Sequence, residues 1–423
     1  MSQYPARELG RICEVKIGRQ RSPKHQEGPH LVPYVRAANV KDGVVNIGDL
    51  LEMNFSPAEQ DSYGLRVGDV LVTEGCGSPT ELGASAQWRG APAAVVCYQN
   101  HLLRLRAIAG VSDPAYLAQL ARWCQRTGRW LSVSSGTGIL NIGQGRAQGM
   151  LVPAPPVEVQ QKIGRILSAY DDLIENHNRR IMLLEEIARR IYSEWFVELR
   201  YLGHENIPLV DSELGLVPEG WTVCALKSIA ETIARGVSPR YADDSTQLVI
   251  NQKCIRNGRL DIALARRHVS PVPTVKMVRF GDILINSTGV GTLGRVAQVL
   301  LPVEGVTVDS HVTIVRAATD VAETEFVGLM LLAREEEFAA MGVGSTGQTE
   351  LSRGAVGETK VVLPPRQVQS DFADAVRGLR RLPVSLAMAS SHLRASRDLL
   401  LPRLLSGEID VTDLDIDAMD LAA

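Results

Sequence analysis

The pattern with the most direct chemical reading is Gly289-Val-Gly-Thr-Leu-Gly294, which has the glycine spacing of a dinucleotide-binding turn. In that chemistry the glycines let the backbone approach a pyrophosphate, which rests on the N-terminus of the following helix. Here they lead into Arg-Val-Ala-Gln-Val-Leu, a β-rich run, so no helix end awaits a phosphate. Gly75-Cys-Gly-Ser-Pro-Thr-Glu-Leu-Gly83 holds the corresponding place earlier in the chain, and both stretches read as connections between strands. The cysteines Cys13, Cys76, Cys97, Cys124, Cys224 and Cys254 form no Cys-x-x-Cys pair, which speaks against a zinc site or a disulfide framework. They read as small buried apolar groups. The eight histidines show no His-Glu-x-x-His or similar ligand spacing. A Walker loop, a Gly-x-Ser-x-Gly elbow and an Asn-Pro-Pro-Tyr methyltransferase site are likewise missing from the sequence. No metal site is expected, and the chain reads as non-catalytic.

The strongest signal for architecture is a heptad stripe. Ile163, Leu167, Tyr170, Ile174, Ile181, Leu184, Ala188, Ile191 and Trp195 recur at alternating four and three spacing, with His177 inside the seam. Such a stripe predicts one long helix, from about Val157 to Leu199, that buries its apolar edge against another helix. A poorer heptad at Phe372, Leu379, Leu386, Leu393 and Leu400 offers an antiparallel mate within the same chain. His177 reads as a register device, not a ligand.

The chain has 423 residues, 45% of them hydrophobic and 22% charged, enough for two or three separately cored domains. No apolar run reaches the roughly 18 residues that span a bilayer, and the N-terminus lacks a signal-peptide core, so a cytoplasmic location is expected. The net charge of −3 hides an uneven distribution. Residues 1–155 and 365–406 are mildly basic, residues 204–364 are acidic overall, and residues 407–423 form an acidic tail without a base.

The second half repeats the first. Leu226-Lys-Ser-Ile-Ala-Glu-Thr-Ile-Ala-Arg-Gly-Val-Ser-Pro239 answers Leu9-Gly-Arg-Ile-Cys-Glu-Val-Lys-Ile-Gly-Arg-Gln-Arg-Ser-Pro23. Val278-Arg-Phe-Gly-Asp-Ile-Leu-Ile-Asn286 answers Leu65-Arg-Val-Gly-Asp-Val-Leu-Val-Thr73, and His311-Val-Thr-Ile-Val-Arg316 answers His101-Leu-Leu-Arg-Leu-Arg106. Each block leaves through prolines and a Val-Gln pair, Val159-Gln160 or Val368-Gln369, into its helix. With offsets near about 210 residues throughout, a duplication of domain plus helix is the economical reading, and two such copies imply a pseudo-two-fold axis. The expected fold is α+β: two similar β-rich domains joined by two long antiparallel coiled-coil helices. The expected boundaries are 1–155 and 204–364 for the domains, 156–203 and 365–406 for the helices, and 407–423 for the tail.

Four phrases in this order resemble the specificity subunit of type I restriction-modification systems. They are Val152-Pro-Ala-Pro-Pro156 with Gln160, Glu194-Trp-Phe-Val-Glu198, Leu214-Gly-Leu-Val-Pro-Glu-Gly-Trp221 and Leu400-Leu-Pro-Arg-Leu-Leu-Ser-Gly-Glu408. Two features depart from the family pattern: Arg366-Gln367, and Pro383, which predicts a kink or break in the second helix. The resemblance implies that each block is a target recognition domain for one half of a split double-stranded DNA sequence. It also implies that the helix pair docks two methyltransferase subunits, to which restriction and translocase subunits can be added. On that reading S-adenosylmethionine, ATP and Mg belong to the partners and the chain holds no cofactor.

The residues expected to meet DNA lie in loops that recur in both blocks. In the first block they are Arg19, Arg21, Lys24, Arg36 and Asn39, with Ser78 and Thr80 on the glycine loop. In the second they are Arg235, Arg240, Gln252, Lys253, Arg256, Thr288 and Arg295, with Thr346 and Gln348 in the closing loop. Arginine can chelate a guanine edge, Gln or Asn an adenine edge, and the remaining groups suit phosphate. A non-catalytic coiled-coil scaffold without sequence-selective DNA binding would use the same helices; a modifying enzyme with its own active site is the other rival. The helix pair is further expected to act as a ruler that leaves unread bases between the two readers.

Overall fold

The computed structural model describes residues 3–41, 43–344 and 349–415. The chain divides into two compact units, one of Met1–Asn176 with Ser390–Ala423 and one of His177–Ala389. Each contains one β-rich block and a segment of each long helix.

In the first unit the central sheet is antiparallel, with Cys13–Ile17, Leu102–Ala107, Val70–Thr73 and Ser85–Gln87 in that spatial order. Leu103 lies opposite Ile17 on one side and Val72 on the other, and Leu102–Leu105 of the central strand are buried. A mixed sheet stands beside it: Leu31–Val35 pairs in parallel with Cys97–Tyr98 and antiparallel with Leu51–Asn54. The helix Pro114–Arg126 begins with Pro at its first position, where a missing N–H costs nothing, and Asp113 caps it by accepting from Tyr116 N at 2.9 Å. Its buried face, with Leu117, Leu120 and Cys124, joins Leu9, Ile12 and Leu103 in one core.

The second unit repeats this plan in its central and mixed sheets. Ala230–Arg235, Val312–Ala317, Ile283–Asn286 and Val296–Gln298 form the same antiparallel order. Leu248–Ile250 pairs in parallel with Val306–Val308 and antiparallel with Arg266–Arg267. The block closes alike in both units, Ala6–Glu8 against Leu151–Pro153 and Thr222–Ala225 against Lys360–Leu363. Gly18 and Gly236 share a reason to be glycine. A Cβ at either would collide with a backbone carbonyl, of Gln99 or of Val308, where the chain crosses closely.

The long helices run Val157–Tyr192 and Arg366–Ser406. In the first unit Val159, Ile163 and Leu167 share a core with Leu401, Leu404 and Leu405. In the second, Ala188, Ile191 and Trp195 pack with Phe372, Val376 and Leu379. Start meets end in each case, so the two helices are antiparallel.

Three details differ from the sequence expectation. The first helix stops being α-helical at Tyr192 and widens into a π turn at Ser193–Val197. That turn brings the neighbours Trp195 and Phe196 to the same cluster: the Phe196 ring lies 4.8 Å from Phe372 and 4.8 Å from Phe326. Pro383 neither breaks nor ends the second helix, which continues to Ser406 with the proline ring buried. Leu400 is only partly buried, whereas Leu401 is fully so, because an α-helix drifts off a strict seven-residue repeat. Among the other seam residues, Ile163, Leu167, Ile174, Ile181 and Phe372 are buried, as is Leu386, while Tyr170, Leu184 and Leu393 are half-buried. His177 is buried as well. No described helix is long and apolar enough to cross a membrane.

Candidate nucleic-acid interface

Where the loop after the first strand of each central sheet crosses the opposite segment, an open cleft forms. In the first unit Arg19 N donates to Tyr98 O at 3.1 Å and Asn100 N donates to Arg19 O at 2.9 Å. These bonds pin the loop beside Gln99–His101. The cleft, about 490 Å³, is lined by Gln20, Arg21, Gln26, Gln99, Asn100 and His101. In the second unit Val237 N donates to Val308 O at 3.0 Å and makes the equivalent crossing. Its cleft, about 530 Å³, is lined by Ser238, Arg240, Ser270, Lys276 and Ser310. Lys276 Nζ donates to Gly236 O at 2.9 Å, and Arg240 N donates to Ser270 Oγ at 2.6 Å. Each cleft therefore carries one arginine that has no ion pair among the described residues, Arg21 or Arg240, amid amides or hydroxyls.

The residues singled out in the sequence separate into two groups. Arg21, Lys24, Arg240, Lys253 and Arg256 are exposed and form no ion pair among the described residues. Ser78 and Thr80 stand on the glycine loop with their hydroxyls 2.8 Å apart. The others shape the loops from within. Arg19 is held by Glu59 at 2.8 Å, by His25 and by the Asn54 carbonyl, and lies over the Phe55 ring. Arg36 pairs with Asp49 at 2.8 Å. Asn39 is 2% exposed; its Oδ1 accepts from Arg36 N, and its Nδ2 donates to Asn46 O and Asp49 O. Arg235 donates to Ser310 O, Leu351 O and Glu350. Gln252 donates to Thr288, whose hydroxyl also bonds His311 Nδ1 at 2.8 Å, and Arg295 donates to Gly291 O. Thr346 and Gln348 lie outside the described residues.

Sequence reasoning missed Gln20, Gln26, Gln99 and Asn100 in the first cleft, and Ser238, Ser270, Lys276 and Ser310 in the second. The matched histidines His101 and His311 were the available signal, since the crossing segment immediately precedes each.

Elsewhere the titratable groups serve structure. Burial pushes the thiols of Cys13, Cys97 and Cys124 up to about 12, out of the range of a nucleophile. Among the described residues no group of three or more His, Cys, Asp or Glu could hold a metal ion.

Two equivalent α+β units therefore each present a cleft whose arginine has no ion pair among the described residues, and the two define a duplicated fold. Residues 1–186 match the family model described as type I restriction modification DNA specificity domain. The MjaIX specificity subunit of a type I restriction enzyme from Methanocaldococcus jannaschii is 23% identical over 293 residues, 67% of this chain and 66% of that one. The putative MjaX specificity subunit of the same organism is 27% identical over 225 residues, covering 53% of this chain and 52% of the relative. Those stretches thus span between half and two thirds of the relatives' own lengths. The crystal structure of a type I restriction-modification S subunit from M. genitalium shares the fold, with a TM-score of 0.60 over 96% of both chains at 17% identity. Over residues 1–186 the chain is thus similar to type I restriction-modification DNA specificity domains, and its fold is that of the M. genitalium S subunit.

Proposed function

We propose that this chain is the DNA-reading subunit of a type I restriction-modification assembly. Its two blocks, residues 1–155 and 204–364, are target recognition domains for the two parts of a split double-stranded target. The helix pair is the platform on which methyltransferase subunits dock, and restriction subunits can join that core. Methyl transfer and cleavage, with S-adenosylmethionine, ATP and Mg, reside in those partners.

The observation that carries this reading is the equivalent cleft in each block, with Arg21 in one and Arg240 in the other. An exposed guanidinium without an internal carboxylate is available to phosphate oxygens or a guanine edge, and neighbouring amides can contact an adenine edge. Two such readers on one chain suit a target with two separate parts. Lys24, Lys253 and Arg256 supply further positive charge, which would favour phosphate and make binding salt-dependent.

The test is methylome sequencing of cells carrying this chain with its methyltransferase partner. Replacing residues 1–150 by the equivalent block of a relative should change one half of the methylated consensus and leave the other half. If both halves change together, the blocks are not independent readers. If the assembly shows no sequence preference at all, the chain is a scaffold.

A further inference from the structure

The two units meet the same packing problem with different charges. Gln160 and Gln369 are equivalent by their bonds: each amide nitrogen donates at 2.8 Å to a proline carbonyl just before its helix, Pro155 or Pro364. Each amide oxygen accepts from the backbone N–H of the residue that starts a block helix, Asp113 or Glu323. Positions equally far along the two long helices are therefore equivalent too. Asp171 lies 11 residues after Gln160, as Arg380 does after Gln369. Ala188 and Arg397 lie 28 residues after the same glutamines.

In the first unit, Asp171 accepts from Arg397 Nη1 at 2.5 Å, from Arg122 Nη1 at 2.7 Å and from Gln119 Nε2 at 2.7 Å. In the second, the same two positions hold Arg380 and Ala188. Ala188 is fully buried in the apolar core. Arg380 is 8% exposed, donates from Nη2 to Gln298 Oε1 at 2.6 Å, and its Nε has no partner. It has no carboxylate within ion-pair distance among the described residues. One unit thus buries an acid between cations, and the other buries a cation without an acid.

We propose that Asp171, Arg397 and Arg380 form a charge code by which the first-half helix accepts a second-half helix and rejects its own kind. The partner it fits is the other half of this chain, or a half that carries the same arginines. Two second halves together would set Arg380 against Arg397 at both ends, two largely buried guanidiniums with Asp398 beside Arg397 as their acid. Two first halves would set Asp171 against Ala188, so that the carboxylate keeps Arg122 and Gln119 and loses the Arg397 cation. Setting two guanidiniums together, or withdrawing one of the cations that offset the burial of Asp171, is unfavourable. The code rests on helix geometry and is independent of what the blocks bind.

Each wrong pairing can be copied at one end of the full chain. Asp171→Arg imitates two second halves, and Arg397→Ala imitates two first halves. Arg122 also touches Asp171, so the reversal is made on an Arg122→Leu background. By scanning calorimetry the reversal is expected to lower the melting point by about 6 °C or more relative to Arg122→Leu alone. Adding Arg397→Asp should return most of that loss, since the pair is then restored with its signs exchanged. Equal melting points for the reversal and its background, or a loss that Arg397→Asp deepens, would overturn the code. Should the reversed chain not fold, Asp171→Asn, Arg397→Ala and their double variant form a neutral cycle. A non-additive melting shift in that cycle supports the code, and simple additivity overturns it.

Discussion

Arg106 closes on Asp69 with two charge-assisted hydrogen bonds, Nε to Oδ1 at 2.7 Å and Nη2 to Oδ2 at 2.6 Å. Asp69 also accepts from Arg66 N, so a single carboxylate closes the turn into Val70–Thr73 and ties it to the neighbouring strand Leu102–Ala107. Arg316 and Asp282 repeat the arrangement at 2.7 Å for both bonds, with Arg279 N as the third donor. Both carboxylates are almost fully buried. Removing one partner would strand a charge. Asp69→Ala and Asp282→Ala are each expected to destabilise their own unit by about 3–5 kcal/mol, measured by chemical denaturation.

Gln160 and Gln369 should behave as hinge pins between block and helix. Replacing either with Leu keeps the volume but leaves buried carbonyls and an N–H without partners. The expected cost is about 1–3 kcal/mol for each, read from the denaturation midpoint, with the DNA target of a methylating assembly unchanged.

Pro383 offers the opposite sign. It sits inside a continuous helix, where its ring withholds an N–H from the carbonyl four residues earlier. Pro383→Ala restores that bond and improves helix propensity, while a buried ring is lost. A net gain of about 1 kcal/mol is expected by thermal melting.

Asp171 makes the first unit sensitive to acid. Burial pushes its carboxyl upward, but the Arg122 and Arg397 guanidiniums and the Gln119 amide outweigh this and hold it below the usual range. A depressed folded value means its stabilisation is complete above the unfolded pKa of about 3.9 and is lost as pH falls through the folded value. Asp171→Asn should therefore melt below the parent at neutral pH. The gap should close only under about pH 4, which a pH series of melting curves would reveal.

For the clefts, Arg21→Ala and Arg240→Ala should weaken DNA binding while leaving the melting point nearly unchanged. Each should reduce the slope of log affinity against log salt by about 0.9 if the lost contact was to phosphate. A change in the methylated consensus at one position would instead mark a base contact. Asn39→Ala, in contrast, should show up first as lost stability.

Much of this was legible in the sequence because it depends on local periodicity and repetition. The first long helix was readable from its heptads, and the duplication from paired phrases such as Arg-Val-Gly-Asp and Arg-Phe-Gly-Asp, which carry the carboxylates that Arg106 and Arg316 meet. The second helix was harder to read, since proline and polar residues interrupt its seam: Pro383, Ser390 and Arg397 are buried there. A hydropathy pattern cannot register a buried arginine that is held by Asp171 of the other helix and by its neighbour Asp398.

The candidate interface divided along the same line. Residue type nominated Arg19 and Arg21 equally, two positions apart on one loop. Only the tertiary structure turned Arg19 inward onto Glu59 and Phe55 and left Arg21 in the cleft. It likewise drew Gln99 and Asn100 to Arg21 across nearly 80 residues of chain. What the sequence determined by itself was the repeat, the helices and the supply of polar side chains. Which side chains face outward was decided by long-range pairing, because an arginine's availability depends on whether folding brings it an acid.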